Sequence, residues 1–409
     1  MMNDNRVVVT GLGVVSSLGL GHSNFWRNLK SGRKGDGFVR SFDTSQLNVH
    51  IGAEVPEAYL DTFITEGIQK VASKCTYFAS LAIDQAINDA KVSLQKYKTS
   101  LCIGTTASEL QSLETLNRMS FIERDLSTEK ALTFKVFSTN LIKFLARKYK
   151  LSGHHVIFRT ACSAGNNAIG YGYDMIKTGE AEIVLAGGSD AFCWVPFIGF
   201  SQLRLLSTDK CRPFDKNRNG MVLGEGAGVL LLENFNNAKK RGAKIYAEIL
   251  GYGMSCDAYH VTKISSEGIY ASMNDALKQS KIFENNVDFI CAHGTGTINN
   301  DLNEARAISK LFRNNRNLVV TSIKSMLGHP LGASSALEAV TCCLVVLKDI
   351  IPPTINHLEC DPNFSLNVAF NKAQKKIVRI ALNNSFAFGG NNVCLVIGKF
   401  EDFNQMEAL

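Results

Sequence analysis

Short apolar segments alternate with longer amphipathic segments along almost the whole chain. Residues 7–10 are β-branched and end at a glycine, and residues 101–104 form another short apolar run, which is typical of buried strands. Residues 76–90 instead carry apolar side chains at helical spacing. The same patterns predict strands at residues 155–160, 182–186, 228–233, 245–252, 288–292, 318–322 and 392–397, and helices at residues 162–177, 269–280, 301–312 and 332–348. This alternation predicts an α/β fold with largely parallel sheets.

The length of 409 residues corresponds to two or three domains of roughly 150 residues each. No linker or low-complexity segment marks a boundary. We predict a division near residue 250, into an N-terminal half, residues 1–250, and a C-terminal half, residues 251–409. Residues 34–66 are the least regular part, and residues 110–138 mix polar and aromatic side chains, which suggests a helical insertion over a pocket.

The composition is that of a well-packed globular protein, with 45% hydrophobic and 20% charged residues. The net charge of +7 suits an acidic partner, but the basic residues are not clustered as in nucleic-acid-binding proteins. No apolar run approaches roughly 18 residues, and the first ten residues lack the apolar core of a signal peptide. We therefore expect a cytoplasmic protein without a nucleic-acid or membrane partner.

The eleven cysteines are scattered, odd in number and contain no C-x-x-C pair. This pattern argues against a disulfide framework and against a zinc site. We expect most of these thiols to be buried in a reducing compartment, and we expect no bound metal.

Cys162 stands out because it lies where a predicted strand turns into a predicted helix. The surrounding segment, Arg-Thr-Ala-Cys-Ser-Ala-Gly at 159–165, has small residues on both sides of the thiol. The N-terminus of a helix favours the thiolate, which is the nucleophilic form of cysteine. The alternative is a small buried cysteine that packs at the start of a helix.

Three basic residues follow two later strands. His293 begins the segment His-Gly-Thr-Gly-Thr, and Lys324 and His329 lie in Lys-Ser-Met-Leu-Gly-His. The ends of strands are where α/β folds expose polar groups. Lys324 has Glu338 or Glu304 as a possible partner. The alternatives are a histidine hydrogen-bonded within a loop and a lysine in solvent.

Three glycine-containing segments also bear on function. The segment Asn-Ser-Phe-Ala-Phe-Gly-Gly at 384–390 predicts a turn whose backbone N–H groups face an oxyanion, or an ordinary turn into the last strand. The segment at 11–16 has serine in place of the third glycine of a dinucleotide-binding motif, and the segment at 220–228 lacks the Lys-Ser/Thr of a phosphate loop. Neither of these two predicts nucleotide binding.

Taken together, these segments resemble the elongating β-ketoacyl-acyl-carrier-protein synthases, the ketosynthases of fatty-acid and type II polyketide synthesis. The resemblance covers nearly the whole chain. It includes Cys-Arg-Pro-Phe-Asp at 211–215, Gly-Glu-Gly-Ala-Gly at 224–228 and Asp-Ala-Tyr-His at 257–260. A Cys…His…His set distinguishes these enzymes from initiating synthases, which use Cys-His-Asn, and from chain-length factors, which lack the cysteine.

The resemblance implies a thiolase-like fold of five αβαβα layers built from two similar halves. It implies that Cys162 receives the acyl group, and that His293 and His329 stabilise the enolate formed when malonyl carrier loses carbon dioxide. The backbone N–H groups of Cys162 and Phe388 would hold the oxyanion. Lys324, Glu304 and Glu338 would support the site, Thr262, Thr295 and Thr297 would bind the pantetheine arm, and Arg204 would contact the carrier protein.

The resemblance also implies no tightly bound cofactor, since the phosphopantetheine arm arrives on the acidic acyl carrier protein. The partner in a dimer is a second copy or a chain-length-factor-like subunit. Ala107 stands where a larger isoleucine often lines the acyl pocket, and Ala387 replaces the usual glycine of the gating turn. These departures favour a polyketide or polyene synthase over a housekeeping fatty-acid enzyme. The remaining alternatives are a thiolase-like acyltransferase that uses coenzyme A and a silent partner subunit.

Overall fold

The computed structural model describes residues 6–59, 73–123 and 137–401. Its strands are β1 Val7–Ser16, β2 Gly19–Leu20, β3 Gly37–Phe38, β4 Ile51–Gly52, β5 Thr99–Gly104, β6 His155–Phe158, β7 Ile183–Asp190, β8 Gly226–Asn234, β9 Ala247–Cys256, β10 Phe289–Cys291, β11 Val319–Thr321, β12 Ile350–Ile351, β13 Gln374–Lys375, β14 Ile380–Phe386 and β15 Asn391–Gly398. Its α-helices are α1 His22–Lys30, α2 Lys74–Ala90, α3 Leu110–Asn117, α4 Ser138–Lys148, α5 Ala164–Lys177, α6 Trp194–Gln202, α7 Phe235–Lys240, α8 Ser266–Ser280, α9 Ile298–Leu311, α10 Lys324–Leu327 and α11 Ser334–Lys348.

The main sheet consists of two halves with the same strand order. The first half runs β6-β5-β7-β8-β1 and the second runs β11-β10-β14-β15-β9. In the first half β5 pairs in parallel with β6 and β7, and β8 pairs antiparallel with β7 and β1. In the second half β10 pairs in parallel with β11 and β14, and β15 pairs antiparallel with β14 and β9. β1 and β9 join the halves, with Val7 opposite Ile249. The division predicted at residue 250 falls within β9 and stays a prediction.

The prediction of largely parallel sheets is wrong, because antiparallel pairs hold both halves together and join them. The clearest case is the hairpin of β14 and β15, in which the chain reverses over four residues. Gly389 and Gly390 have φ angles of 82° and 79°, a region that glycine adopts without strain. The glycine pair therefore forms a tight turn between two antiparallel strands.

Three apolar clusters separate the layers. Helices α2 and α4 pack on the outer face of the first half, and α8 and α9 pack on the outer face of the second half. Between them, α5 and α11 share one central cluster with strands from both halves. This gives the order α, β, α, β, α, so the predicted five-layered fold is confirmed.

The glycines of the segment at 11–16 are needed for packing. A Cβ atom at Gly13 would lie 1.8 Å from the carbonyl oxygen of Ala82, and one at Gly11 would lie 2.2 Å from that of Ala86. Helix α2 can approach β1 this closely only because these side chains are missing. The structure thus gives the glycine pattern a role in packing, without a nucleotide.

Helix α11 corrects the expectation about apolar runs. The segment Leu331–Lys348 is long and apolar enough to cross a membrane by length and composition, with a mean hydropathy of 1.6, and 89% of it is buried. Glu338 interrupts this run in the sequence, but it is itself buried beside Lys324. The helix therefore passes the length test because it is the core helix between the two halves.

Several predicted features are incomplete or lie partly outside the described residues. Residues 110–123 are helical, whereas 124–136, the rest of the predicted insertion, lie outside them, as do residues 60–66. The sequence analysis also missed α1, α6 and β14. β14 was missed because Asn383, Asn384 and Ser385 break its apolar pattern, although all three are buried.

Candidate active site

Cys162 lies in a sharp turn at the end of β6. A single 3-10 turn, Ala161–Ser163, leads directly into α5, and Ala161 has a φ of 51°. The carbonyl oxygen of Cys162 accepts hydrogen bonds from Ser385 Oγ at 2.9 Å and Ser335 Oγ at 3.1 Å. Hydroxyl groups from the second half of the molecule therefore fix the backbone of the nucleophile.

Two histidines from the second half face the thiol. His329 Nε2 lies 3.2 Å from Cys162 Sγ, and the rings of His293 and His329 are 5.3 Å apart at 84°. Burial, assisted by the charge of Lys324, lowers the pKa of both histidines well below the usual value. Both rings are therefore neutral at neutral pH, and each can offer one N–H donor and one acceptor nitrogen.

Lys324 decides which nitrogen of His293 carries the proton. Its Nζ atom is fully buried, lies 3.3 Å from His293 Nδ1 and forms an ion pair with Glu338. Because an ammonium group can only donate, Nδ1 accepts and Nε2 of His293 carries the proton. Of the two predicted partners of Lys324, Glu338 is the one the structure brings to it. Burial raises the pKa of Glu338 to about 7, against the opposing effect of Lys324.

Glu304 has a different task, which is to shape the loop after β10. Its carboxylate accepts the backbone N–H groups of His293 at 2.9 Å and Gly294 at 2.8 Å. Burial raises its pKa to about 7. Glu304 therefore positions His293 through the backbone, as the resemblance implied for an acidic residue near the site.

The expectation that Cys162 favours the thiolate is wrong for the free enzyme. Burial raises the pKa of the thiol to about 12, and this outweighs the opposite effect of Lys324. Cys162 is therefore protonated at neutral pH. Its proton must leave during the reaction, and His329 Nε2 is within reach to accept it.

A cavity of about 330 Å³ leads to the three reacting side chains. Thr262, Thr295, Thr297 and Phe388 line it; their substrate-binding and gating roles stay predictions. The hydroxyl oxygens of Thr295 and Thr297 are 2.9 Å apart. Apolar side chains form much of the remaining wall: Phe200, Leu203, Leu205, Met221, Ile264 and Phe386.

Two predicted residues lie beside the cavity rather than on its wall. Ala107 is buried in an apolar cluster with Phe192 and Phe197, and Met221 belongs to both this cluster and the cavity wall. Arg204 is exposed and lies between Leu203 and Leu205, which both line the cavity. Ala107 therefore belongs to a cluster that adjoins the cavity wall at Met221, and Arg204 is flanked by two residues of that wall.

The sequence analysis missed several residues that hold the site together. Ser335, Ser385 and Asn383 were not singled out; Asn383 donates to the carbonyl of Ser335 and to Asn166 Oδ1, both at 2.8 Å. Asp190 was also missed, although it accepts the N–H groups of Ala107 at 2.8 Å and Gly332 at 2.7 Å. Ser385 and Asn384 were within a quoted motif, so a buried polar strand was the available signal.

The described residues contain one candidate cluster of three metal ligands, and it is this site. Donor atoms of Cys162, His293 and His329 all lie within 4.8 Å of one another. A thiolate and two imidazoles are a set that zinc accepts. The expectation of no metal remains a prediction.

Two matches with known sequences cover most of the chain. Residues 4–238 match the N-terminal domain of the β-ketoacyl synthases, and residues 246–358 match their C-terminal domain. The chain therefore belongs to the β-ketoacyl synthase family, and the prediction of a condensing acyltransferase with a thiolase-like fold is confirmed.

The chain is similar to curated and solved members over almost its full length. It is 37% identical to the 3-oxoacyl-[acyl-carrier-protein] synthase 2 of Synechocystis sp., covering 98% of this chain and 99% of that one. It is 34% identical to nodulation protein E of Rhizobium meliloti, covering 96% and 98%. Among solved structures, it is 38% identical to the ishigamide ketosynthase/chain length factor, with a TM-score of 0.93 over 97% of this chain and 100% of that chain.

A second solved structure is that of a type II polyketide synthase acyl-carrier protein in complex with its ketosynthase bound to the hexaketide. The two chains are 30% identical, with a TM-score of 0.89, and the match covers 97% of this chain and 100% of that chain. The coenzyme A thiolase-like alternative calls for a second cysteine near the C-terminus as a base, but Cys394, the last cysteine, is buried within β15 and is not among the residues that line the cavity.

Proposed function

We propose that the protein condenses an acyl group, held as a thioester on Cys162, with malonyl-acyl carrier protein to give β-ketoacyl carrier protein and carbon dioxide. The observation that carries this proposal is the contact of Cys162 Sγ with His329 Nε2 at 3.2 Å, beside a neutral His293. A thiol, a base and a fixed N–H donor at one cavity are what transfer and condensation both need.

In the first step, Cys162 Sγ attacks the thioester carbonyl of the incoming acyl carrier. The bond from this carbon to the pantetheine sulfur breaks, and the thiol proton passes through His329 Nε2 to the leaving thiolate. Nδ1 of His329 has no hydrogen-bond partner among the residues described, so neighbouring groups do not fix the tautomer of this ring. His329 can therefore accept a proton in this step and donate one later.

In the second step, malonyl carrier loses carbon dioxide and leaves an enolate. Nε2–H of His293 is the donor that Lys324 fixes, and His329 in its other tautomer supplies a second donor. Neutral rings suit this task, because a strong base is not required to release carbon dioxide. The two histidines thus act as donors to the enolate oxygen.

In the third step, the enolate carbon attacks the thioester carbonyl on Cys162, and the bond from this carbon to Cys162 Sγ breaks. The carbonyl oxygen becomes an oxyanion on the way, and it would accept hydrogen bonds from the backbone N–H groups of Cys162 and Phe388. Phe388 lies next to the Gly389-Gly390 turn, and its ring is 5.8 Å from that of Phe200. Removal of one such donor typically slows acyl transfer by about 10²–10³.

The carrier protein is the partner we propose, with its phosphopantetheine arm in the cavity. Thr262, Thr295 and Thr297 offer hydroxyl groups along the wall, and exposed Arg204 at the rim suits an acidic carrier. The solved carrier–ketosynthase complex supports this placement by similarity. No resident cofactor takes part in any step.

We further propose that the protein acts as a dimer in the cytoplasm. β6 is an edge strand that pairs, in the part of the chain that is described, only with β5, and its side chains are half-buried to exposed. An open edge of this kind can pair with another chain. The similarity to a ketosynthase/chain length factor supports a heterodimer, with a homodimer as the alternative. An intact Cys162 makes this chain the active subunit.

Polyketide or polyene elongation is the pathway we favour. Ala107 shares a cluster with Met221, which lines the cavity, and its small side chain would present less obstruction than isoleucine to a long or stiff chain on this side. The similarity to the ketosynthase of a type II polyketide synthase also supports it, whereas the similarity to the 3-oxoacyl-[acyl-carrier-protein] synthase 2 of Synechocystis supports fatty-acid elongation.

Intact-mass spectrometry separates these possibilities. The wild type and Cys162→Ala are incubated with saturated and polyunsaturated acyl carriers, alone and with a co-purified partner subunit. We expect one acyl mass on the wild type and none on the variant. Loading with saturated chains and none with polyenes would overturn the assignment to polyketide or polyene elongation. Loading on both proteins would overturn the role of Cys162.

A further inference from the structure

A second thiol lies beside a histidine, outside the residues that line the cavity. Cys360 is exposed in the segment between β12 and β13, and its Sγ atom lies 3.6 Å from His357 Nε2. His357 precedes it by three residues. The catalytic mechanism uses neither side chain.

The ring of His357 is held on both sides. It stacks on Phe370 with a centroid separation of 3.4 Å and an angle of 10°, and its Nδ1 atom lies 3.1 Å from Asp215 Oδ2. Asp215 is buried and is fixed by the backbone N–H groups of Leu358 at 2.6 Å and Glu359 at 2.8 Å. The carboxylate, the ring and the thiol are therefore arranged in series.

The charges in this series suit proton transfer. Burial lowers the pKa of His357, against the opposite effect of Asp215, so the ring is neutral at neutral pH. Nδ1 is close to the Asp215 carboxylate but makes no hydrogen bond with it; the nearby negative charge still favours the tautomer with the proton on Nδ1, because the other tautomer would place a lone pair against it. Nε2 then presents its lone pair to the thiol of Cys360, which is the arrangement that activates a cysteine nucleophile.

The flanking charges leave this thiol approachable. Glu359 pairs with Lys216 at 2.5 Å, and Asp361 pairs with Arg218 at 2.5 Å. The acidic residues on both sides of Cys360 are thus neutralised, and they do not repel an anionic reagent.

We propose that Cys360, His357 and Asp215 form a second thiol site, at which Cys360 undergoes exchange with low-molecular-weight disulfides. Cys360 Sγ forms a bond to one sulfur of the disulfide and the bond between the two disulfide sulfurs breaks. The proton of Cys360 passes to His357 Nε2 and then to the leaving thiolate. One disulfide and one protein thiol give one mixed disulfide and one small thiol, so no other oxidant is required.

Cys256 supplies the matched comparison within the same chain. It is the other exposed cysteine in the described parts of the structure, and its Sγ atom contacts only the carbonyl oxygen of Gly389, at 3.8 Å. Cys162 is partly accessible, and the remaining eight thiols are buried. Exposure alone would make Cys256 and Cys360 equally reactive, whereas the proposed site would favour Cys360.

The test is timed exposure of the full chain to oxidised glutathione, with Cys162→Ala removing the catalytic thiol. Acid-quenched samples are digested and the mixed disulfide at each cysteine is quantified by peptide mass spectrometry. We expect Cys360 to react roughly tenfold or more faster than Cys256, since a positioned base typically contributes on the order of 10²–10⁴. His357→Phe keeps an aromatic ring against Phe370 but removes Nε2, and it should slow Cys360 while leaving Cys256 unchanged.

Equal rates at Cys256 and Cys360 would overturn the proposal without any variant. An unchanged rate at Cys360 in folded His357→Phe would also overturn it. If that variant does not fold, the comparison of the two thiols in the parent chain still decides the question.

Discussion

The two halves of the molecule share one strand order but carry different chemistry. In the first half the third strand, β6, leads to Cys162, whereas in the second half the third strand, β11, leads to Lys324 and His329. The second strand of each half also ends in a turn, at Thr105 after β5 and at His293 after β10. The frame is therefore duplicated, and in the proposed mechanism the residues at the strand ends divide the reaction between nucleophile and proton donors.

Both turns after the second strand use the same device. Asp190 accepts the N–H groups of Thr106 and Ala107, and Glu304 accepts those of His293 and Gly294. Burial raises the pKa of both carboxylates. One turn faces an apolar cluster and the other presents an imidazole. A similar backbone support thus serves two turns to which we assign different tasks, the accommodation of substrate in the first half and catalysis in the second.

The largest expected effect distinguishes the two histidines of the second half. His329→Ala should slow acyl loading of Cys162, and His293→Ala should spare loading but slow condensation, each by about 10²–10⁴ as for lost proton-transfer or donor groups. Acyl loading is followed by intact mass, and condensation by release of labelled carbon dioxide. Equal loss of loading in both variants would contradict the division of roles.

The second-largest expected effect concerns the buried ion pair of Lys324 and Glu338 in the second half. Glu338→Gln leaves the Lys324 charge buried without its partner, which should lower the free energy of unfolding by about 3–5 kcal/mol. Urea denaturation measures this change. The control is Glu359→Gln, which breaks the solvent-exposed pair with Lys216 and should change stability little, because solvent screens this pair. Similar losses in both variants would show that burial of the pair is not decisive.

The pH dependence of stability tests the carboxylate that supports the histidine turn. The pKa of Glu304 rises from 4.5 to about 7 on folding, so its contribution to stability is full below about pH 4.5 and is lost as the pH rises to about 7. The wild type should therefore lose about 3 kcal/mol relative to Glu304→Gln between about pH 4.5 and pH 8.

Urea denaturation at both pH values isolates this difference. The buried histidines change stability in the opposite direction, because their lowered pKa values cost stability below about pH 6.5. Their effect is common to both proteins and cancels in the comparison. Parallel pH profiles for the two proteins would mean that the pKa of Glu304 does not rise on folding.

The smallest effect tests the apolar turn of the first half. Ala107→Ile adds bulk to a packed cluster, which should cost about 1–3 kcal/mol and shorten the longest acyl chain that loads. Intact-mass spectrometry with a series of chain lengths measures the cutoff. The control for overpacking alone is Ala191→Ile, because Ala191 is buried in the other apolar cluster of the first half, on its outer face. An unchanged cutoff would separate Ala107 from the acyl pocket.

The strands and helices of strong apolar periodicity could be predicted, and so could the four residues at their ends. Helices α2, α5 and α8 and the location of Cys162, His293, Lys324 and His329 follow from local pattern and from the resemblance. Strand β14 could not be predicted, because the hydrogen-bond partners of its three consecutive polar residues are distant in the chain; Cys162 and Asn166, for example, lie more than two hundred residues away. The antiparallel pairing was missed because alternation of elements does not specify strand direction.

Local periodicity and short motifs were enough to predict the class of fold, the family and the candidate reacting side chains. The tertiary structure decided their states. It placed Glu338 rather than Glu304 on Lys324, and it surrounded the partly accessible Cys162 so that desolvation raises the pKa of the thiol and keeps it protonated at neutral pH. It also brought Asp215 to His357 beside Cys360 from more than 140 residues away. Burial and long-range pairing set pKa values and partners, and neither is visible in a local stretch of sequence.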